Sequence, residues 1–444
     1  MQTLHFGTDG IRGNANLHPF TNKILTKLGK AIAQWSIKKY NTQQPKILIG
    51  HDTRMSCSRI KQALENGLHT IGATITDAGV IPTPAILQLM KHDTSFNIGI
   101  VISASHNPYT DNGIKILDAK SGKLSHKDED IIVKNFKEHS EEHESTKHFY
   151  LKPWKNASEV YEENILKHFE KNSLNGLKVV LDCAHGATYK TAPELFEKLG
   201  AHVITINNKP NGKNINYNCG TLHPEQLQQT IKTHSADIGF AFDGDGDRVI
   251  AVNKHGEIKD GDDILDIIST HPSFKNETHV VGTIMTNHGF AQHLEKNKKQ
   301  LIRTNVGDKY VAAQLEKHNW QLGGETSGHI IIKSYLNTGD GIFVALKTLE
   351  TILKKNNLDM LTFTKYPQVL VNVPVTKKQP LEAEPYTSII QEHIQKLDNG
   401  RIIARYSGTE NLLRIMTEDC KYESAHSIAH ALAKCLQNAL NSNS

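Results

Sequence analysis

Three stretches of the chain share one arrangement: an apolar run, a polar loop, then a segment with the apolar spacing of a helix. They are KILIGHDTRMSCSRIKQAL (46–64), KVVLDCAHGATYKTAPELF (178–196) and HVVGTIMTNHGFAQHL (279–294). Each is followed by a second short apolar run: GATITDAGV from Gly72, GAHVITINN from Gly200, KQLIRTNVG from Lys299. Each then supplies a third: FNIGIVISASHNP, ADIGFAFDGDGDR and NWQLGGETSGHIII. Strand-like and helix-like segments alternating in this way imply parallel or mixed sheets covered by helices. The repeat therefore predicts three related mixed-sheet α/β domains. It also puts SASHNP, DGDGDR and GGETSGH at the corresponding place in successive units. Ligands of open α/β sheets bind outside the strand ends, so three loops of this kind are expected to line one central cleft.

At 444 residues the chain exceeds a single ordinary core. The repeat divides it into domains at 1–152, 153–255, 256–364 and 365–444. KPWKNAS near Pro153 marks the first crossing and Asn253-Lys-His-Gly256 the turn after the second unit. The charged stretch from Ser125 to Lys147 reads as an exposed helix and loop. The last region is α+β, with strands in QVLVNVPV and RIIARYS followed by two amphipathic helices.

A formal charge of +4 gives no case for nucleic acid or a membrane surface as partner. No apolar run approaches the roughly 20 residues that span a bilayer, and MQTLHFGTDGIRG lacks signal-peptide order. Cys57, Cys183, Cys219, Cys420 and Cys435 are scattered and form no CxxC pair, which fits free thiols in a reducing cytoplasm. The 25 histidines include no HExxH, and His139 and His143 in EHSEEHES read as a solvated face.

FDGDGDR carries the most chemistry. Asp243, Asp245 and Asp247 alternate with glycines after the apolar run IGFAF, so the loop can curl and the carboxylates converge. Converging carboxylates repel unless a cation lies between them, and all-oxygen ligands suit Mg²⁺. An EF-hand is excluded, since the sixth position from Asp243 is Arg248 and the twelfth is Lys254. A haloacid-dehalogenase-type phosphatase begins with Asp-x-Asp but does not continue as Gly246-Asp247.

In GGETSGH, Glu325 and Ser327 suit neighbouring sugar hydroxyls, and His329 follows. RYSGTENLLR reads as a phosphate anchor: Arg405 offers a bidentate fork, Ser407 and Thr409 donate, and Gly408 lets backbone N–H groups approach an anion. The same Ser-Gly-Thr-Glu also resembles a helix cap. Arg12 in FGTDGIRG and Arg54 in DTR stand before unit loops, where they serve either as phosphate contacts or as structural ion pairs. Ser105-His106 in SASHNP has no GxSxG elbow and no partner carboxylate for the histidine, so a hydrolase triad is the weaker reading. A serine facing a magnesium site instead suits a phosphoryl carrier, with His106 and Asn107 shaping the turn.

FGTDGIRG, SASHNP with DNGIK, DGDGDR, GGETSGH and RYSGTEN occur in one order over nearly the full chain, and in this the chain resembles the α-D-phosphohexomutase superfamily. The resemblance implies three α/β domains plus a C-terminal domain around a deep cleft, with phosphorylated Ser105 joining Asp243, Asp245 and Asp247 at Mg²⁺. It implies sugar contacts from Glu325 and Ser327, with Arg248 also on the substrate, and phosphate contacts from Arg405, Ser407, Gly408 and Thr409. Arg12, Lys115 and His329 match positions of proton transfer or phosphoryl stabilisation. Lys115 then needs either a depressed pKa or a purely electrostatic role. FGTDGIRG tilts the expected substrate to glucosamine 6-phosphate and 1-phosphate over mannose or glucose phosphates, with glucosamine 1,6-bisphosphate as intermediate or activator. The product is then expected to feed bacterial cell-wall amino-sugar synthesis, and a cytoplasmic monomer or homodimer is expected. Cys57 replaces the glycine common after DTR-x-S, and Tyr406 and Asn411 depart from the commoner RPSGTEP.

Overall fold

A computed structural model describes residues 4–7, 9–139, 152–407 and 411–442. They fall into two compact units, residues 1–283 with 304–361, and residues 284–303 with 362–444. Among the described residues no helix is long and apolar enough to cross a membrane.

The first unit realises the first two repeats and the first and third strands of the third. In its first sheet the strands run in the order Ile11–Asn14, Asp111–Asp118, Ile98–Ile102, Lys46–His51, Thr74–Val80, Lys152–Pro153. Lys46–His51 is parallel to both neighbours, whereas Asp111–Asp118 runs antiparallel to Ile98–Ile102. The second sheet repeats the order with Ile258–Lys259, Val249–Asn253, Ile238–Phe242, Lys178–Asp182 and His202–Ile206. In the third, Ile330–Ile332 lies antiparallel to Leu322–Gly324, which lies parallel to His279–Thr283. The third apolar run of each unit thus sits beside the first, and its loop leads into an antiparallel return strand.

Strands Ile98–Ile102 and Ile238–Phe242 are buried at every position, as unbroken apolar runs require in a sheet covered on both faces. Helix Thr83–His92, with Pro84 in its first turn, covers the first sheet closely. Helix Gly261–Ser269 opens on a capping box between Asp260 and Asp263. Ser125 likewise caps His126–Glu138; the rest of the charged stretch, His143 included, lies outside the described residues.

The second unit contains the antiparallel sheet Gln368–Pro374, Leu412–Glu418, Arg401–Tyr406, in that order. Val373, Tyr386, Leu413, Ile415, Leu432 and Leu436 form its core with the helices. One amphipathic helix, Tyr386–Ile394, lies between the strands rather than after them. The segment expected to begin the helical part contains a strand instead, Leu412–Glu418. It forms the middle of the sheet, paired on both sides, so strand pairing outweighs the helical preference of a short apolar run.

Candidate active site

Strand Ile98–Ile102 delivers SASHNP at its end. Ser103 Oγ donates to Asp52 Oδ2 at 2.6 Å and accepts from the Ser105 backbone N–H at 2.9 Å. Ser105 is 1% exposed and left-handed, with φ +53°. Its Oγ donates to Asp243 Oδ2 at 2.6 Å, and His106 Nδ1 stands farther off, at 3.2 Å. Burial, then Arg248 and Arg12, push the His106 imidazole down to about 4, so it is neutral near pH 7.

Arg54 lies beneath this loop, fully buried. Its Nε donates to Asp52 at 2.8 Å, and Nη1 donates to the Pro108 carbonyl and, at 3.1 Å, to that of Asp111. Nη2 donates to the carbonyls of Ser105 at 2.9 Å and Asn107 at 2.8 Å. All five guanidinium donors are therefore spent on the loop and none is left for a phosphate: of the two readings, Arg54 takes the structural one. Cys57 opens the next helix with its thiol 3.3 Å from Asp52 Oδ1. Burial, then the Asp52 charge, pushes that thiol well up, so it packs as an inert group.

The three aspartates of DGDGDR are fully buried or nearly so, and one oxygen from each lies within 4.8 Å of the others. Burial, then Asp247 and Asp245, raise the Asp243 carboxyl well above its ordinary range. Burial also opposes ionisation of Asp247, but Lys115, His329 and Arg248 overcome it and bring that carboxyl to about 2. Lys115 reaches this cluster because strand pairing sets it opposite Val101. Its Nζ lies 2.7 Å from Asp9, 2.9 Å from Asp245 and 2.8 Å from Asp247. Burial alone would lower its pKa, yet Asp245, Asp247 and Asp9 together hold it well above the ordinary lysine value. Of the two roles open to Lys115, this environment favours the electrostatic one.

Two buried oxygens, Asp245 Oδ1 and Asp247 Oδ1, accept no hydrogen bond from the protein. Unsatisfied, buried, all-oxygen donors fit a hard divalent cation. The other Asp245 oxygen accepts from Thr83 Oγ at 2.6 Å, at the start of a helix in the first sheet's domain. Arg248 N–H donates to Asp243 at 3.1 Å, while its guanidinium lies 3.9 Å from Asp247.

GGETSGH docks against this loop through its backbone. Val249 N–H donates to the Gly328 carbonyl at 3.2 Å and Gly261 N–H to that of Thr326 at 3.0 Å. Gly328 has φ +91°, and a Cβ there would lie 2.2 Å from the Val249 carbonyl oxygen, so only glycine fits. Glu325 Oε1 accepts from Gly307 N–H at 2.9 Å, and Ser327 is exposed. His329 is buried, its Nε2 3.3 Å from Asp308 and its Nδ1 without a hydrogen bond. Asp308 pairs with Lys123, which in turn lies 3.3 Å from Asp9. Asp9 also takes Arg12, at 2.9 Å. The first unit thus brings together Arg12, Ser105, Lys115, the three aspartates, Arg248 and the Glu325–His329 loop.

In the second unit Arg405 is exposed and directly opposite Arg414 in the sheet. Ser407 N–H donates to the Leu412 carbonyl at 2.8 Å, and its own carbonyl accepts from Lys378 Nζ at 2.6 Å. The Tyr406 hydroxyl accepts from Gln379 N–H at 3.0 Å, tying the loop to a neighbouring segment. Gly408 and Thr409 lie outside the described residues.

Asp9, Lys123, Asp308 and Thr83 are not among the residues singled out in the sequence. Asp9 had a signal, its place in FGTDGIRG. The others sit in segments without a motif, and only their distant partners mark them.

Four domain descriptions of phosphoglucomutase/phosphomannomutase match the chain in order: alpha/beta/alpha domain I over residues 3–143, domain II over 159–256, domain III over 260–367, and the C-terminal domain over 370–435. A protein of Chlamydia caviae called phosphoglucosamine mutase is 40% identical, over 98% of this chain and 97% of its own. One of Marinomonas sp. with the same name is 42% identical over 93% of each. Among solved structures, a phosphoglucomutase/phosphomannomutase family protein of Burkholderia thailandensis has the same fold, with a TM-score of 0.79 at 21% identity over 97% of each chain. An Aspergillus fumigatus N-acetylphosphoglucosamine mutase, solved in complex with GlcNAc-6P and magnesium, superposes with a TM-score of 0.70 at 18% identity over 99% of this chain and 96% of its own.

Proposed function

The chain belongs to the phosphoglucomutase/phosphomannomutase family, and on that premise we propose that it interconverts glucosamine 6-phosphate and glucosamine 1-phosphate through a phosphoserine at Ser105. The observation that carries this reading is the 2.6 Å hydrogen bond from Ser105 Oγ into the buried aspartate cluster. In the first half-reaction the Oγ–P bond of phospho-Ser105 breaks, a P–O1 bond forms on glucosamine 6-phosphate, and the proton lost from O1 is balanced by one taken up at Ser105 Oγ. The product is enzyme-bound glucosamine 1,6-bisphosphate. After the intermediate reorients, the P–O6 bond breaks as Ser105 Oγ gives up its proton and takes the 6-phosphoryl group, O6 gains the balancing proton, and glucosamine 1-phosphate departs.

Asp243, Asp245 and Asp247, with the phosphorylated Ser105, would hold Mg²⁺, whose chemistry is to neutralise charge on the transferring phosphoryl group. Lys115, in contact with three carboxylates, serves as a fixed positive charge beside that group. Arg12, paired with Asp9, and His329, beside Asp308, stand for stabilisation or proton transfer. Arg248 serves the substrate, Glu325 and Ser327 orient sugar hydroxyls, and Arg405, Ser407, Gly408 and Thr409 grip the phosphate that is not reacting. Fixing one phosphate while the other reacts turns transfer into an effectively intramolecular step. Five cysteines without a disulfide support a reducing, cytoplasmic setting.

The test compares turnover of glucosamine, mannose and glucose 6-phosphates by the wild-type protein and Ser105→Ala. The expected result is preferred conversion of the glucosamine ester and at least a ~10³-fold loss in the variant, because no covalent carrier remains. Equal rates in the two proteins would remove the phosphoserine mechanism. Release of inorganic phosphate as the main product would make the protein a phosphatase, and a preference for mannose or glucose phosphate would change the substrate alone.

A further inference from the structure

Resting on the phosphoserine reading above, we propose that Asn216 is a positioning residue for Ser105, acting as the second half of a clamp whose first half is Arg54. Its side-chain amide Nδ2 donates to the Ser105 carbonyl at 2.8 Å and to the Asn107 carbonyl at 3.0 Å. These are the same two carbonyls that receive Arg54 Nη2. The carbonyls of Ser105 and Asn107, which follow the left-handed residue, are therefore each held twice, by a residue of their own α/β domain and by one more than 100 residues later in the chain.

The need for such a clamp comes from the backbone. Ser105 has φ +53°, a conformation that costs a non-glycine residue free energy and persists only where its surroundings over-determine it. A glycine would take this conformation freely but has no hydroxyl. Asn216 suits the other side of the contact. One amide nitrogen carries two hydrogens, and asparagine tolerates the φ of +59° it adopts. Its own N–H is fixed to the Ala184 carbonyl at 2.9 Å. The metal loop closes on the same point: a Cβ on Gly244 would lie 2.6 Å from the Ser105 carbonyl oxygen and 2.7 Å from Asn216 Nδ2. The amide thus meets the serine turn where the aspartate loop packs against it. It touches neither Ser105 Oγ nor the carboxylates, and acts through the orientation of the turn.

The experiment uses Asn216→Gly, which deletes the amide and keeps the backbone freedom, and Asn216→Asp, which keeps the shape but turns an acceptor toward two carbonyls. Asn218→Gly, at an exposed left-handed asparagine two residues on, is the control. Misplaced reacting groups cost about 10²-fold in rate. Asn216→Gly is expected to lower kcat by about 10- to 100-fold with KM within about twofold, Asn216→Asp to lower it further, and Asn218→Gly to match wild type. Hydrogen exchange of the 103–109 segment, read without any turnover, is expected to quicken by at least about tenfold in both Asn216 variants. Wild-type kcat and unchanged exchange in either folded variant would overturn the inference, and so would loss of fold in both, which assigns Asn216 a structural role. If the wild-type protein itself shows no mutase turnover, the functional reading fails, and the exchange experiment still decides whether the clamp exists.

Discussion

Arg54→Met separates the two roles open to an arginine beside a phosphorylated loop. The Arg54 and Asp52 side chains are both fully buried, with Nε 2.8 Å from Oδ2. Removing the guanidinium leaves the Asp52 charge with only Ser103 Oγ, the Arg54 N–H and the Cys57 thiol as donors. Four carbonyls, of Ser105, Asn107, Pro108 and Asp111, also lose a donor. Breaking a buried ion pair from one side costs about 3–5 kcal/mol, a roughly 100- to 4,000-fold rise in the unfolded fraction. The assay is urea unfolding followed by tryptophan emission, to which Trp35, fully buried in the first domain, contributes. Asp52→Asn should be destabilising for the reciprocal reason. The double variant should lose at least about 1 kcal/mol less than the sum of the singles, because each partner's stranded charge is gone. An arginine that held substrate phosphate would instead leave stability untouched and raise KM. Unfolding of Arg54→Met within about 1 kcal/mol of wild type, or strict additivity in the double variant, would refute the clamp reasoning.

Thr83→Val removes the hydroxyl that orients Asp245, and residues behind metal ligands are worth about 10- to 100-fold in metal affinity; the Mg²⁺ concentration giving half-maximal turnover should rise by that factor. Chelation with EDTA should abolish turnover and added Mg²⁺ restore it, whereas Asp243→Asn should not recover at any practical Mg²⁺ concentration. Saturating Mg²⁺ should also raise the thermal midpoint of the wild-type protein, as any ligand of the folded state alone must. Glu65 is 1% exposed with one oxygen lacking a hydrogen bond, and burial pushes its carboxyl up from the ordinary 4.5 to about 7. The folded-state value exceeds the unfolded one, so its contribution to stability is complete below about pH 4.5. That contribution is then lost at up to ~1.4 kcal/mol per pH unit as pH rises to about 7. Glu65→Gln should flatten the fall in urea midpoint across that window, and parallel curves for variant and wild type would contradict the assignment.

Much of this protein was legible in one dimension because its information is local. Apolar runs such as IGIVI and IGFAF are long enough to be central strands wherever they occur, and alternation with helical spacing dictates sheets covered by helices. The loops that follow announce themselves by composition, since three aspartates interleaved with glycines have few uses other than holding a cation. The second unit was less legible. LLRIMTE follows a loop that also resembles a helix cap, and only pairing on both edges made it the middle strand of its sheet.

What the tertiary structure alone decided is the use of each charged group, because burial and partners, not residue type, set a side chain's energetics. Arg54 looks like a phosphate ligand until its five donors are found spent on carbonyls and Asp52. Lys115 is open to either role in sequence, and three carboxylates from two distant segments, Asp9 and the Asp245–Asp247 loop, keep it charged. Ser105 reaches Asp243 across 138 positions of sequence, and Thr83 reaches Asp245 across 162. Contacts of that span leave no periodic trace in the chain. The sequence by itself determined which groups were available and which strand ends would carry them. Folding determined which groups lost water and which neighbours replaced it, and in a low-dielectric interior that replacement sets their chemistry.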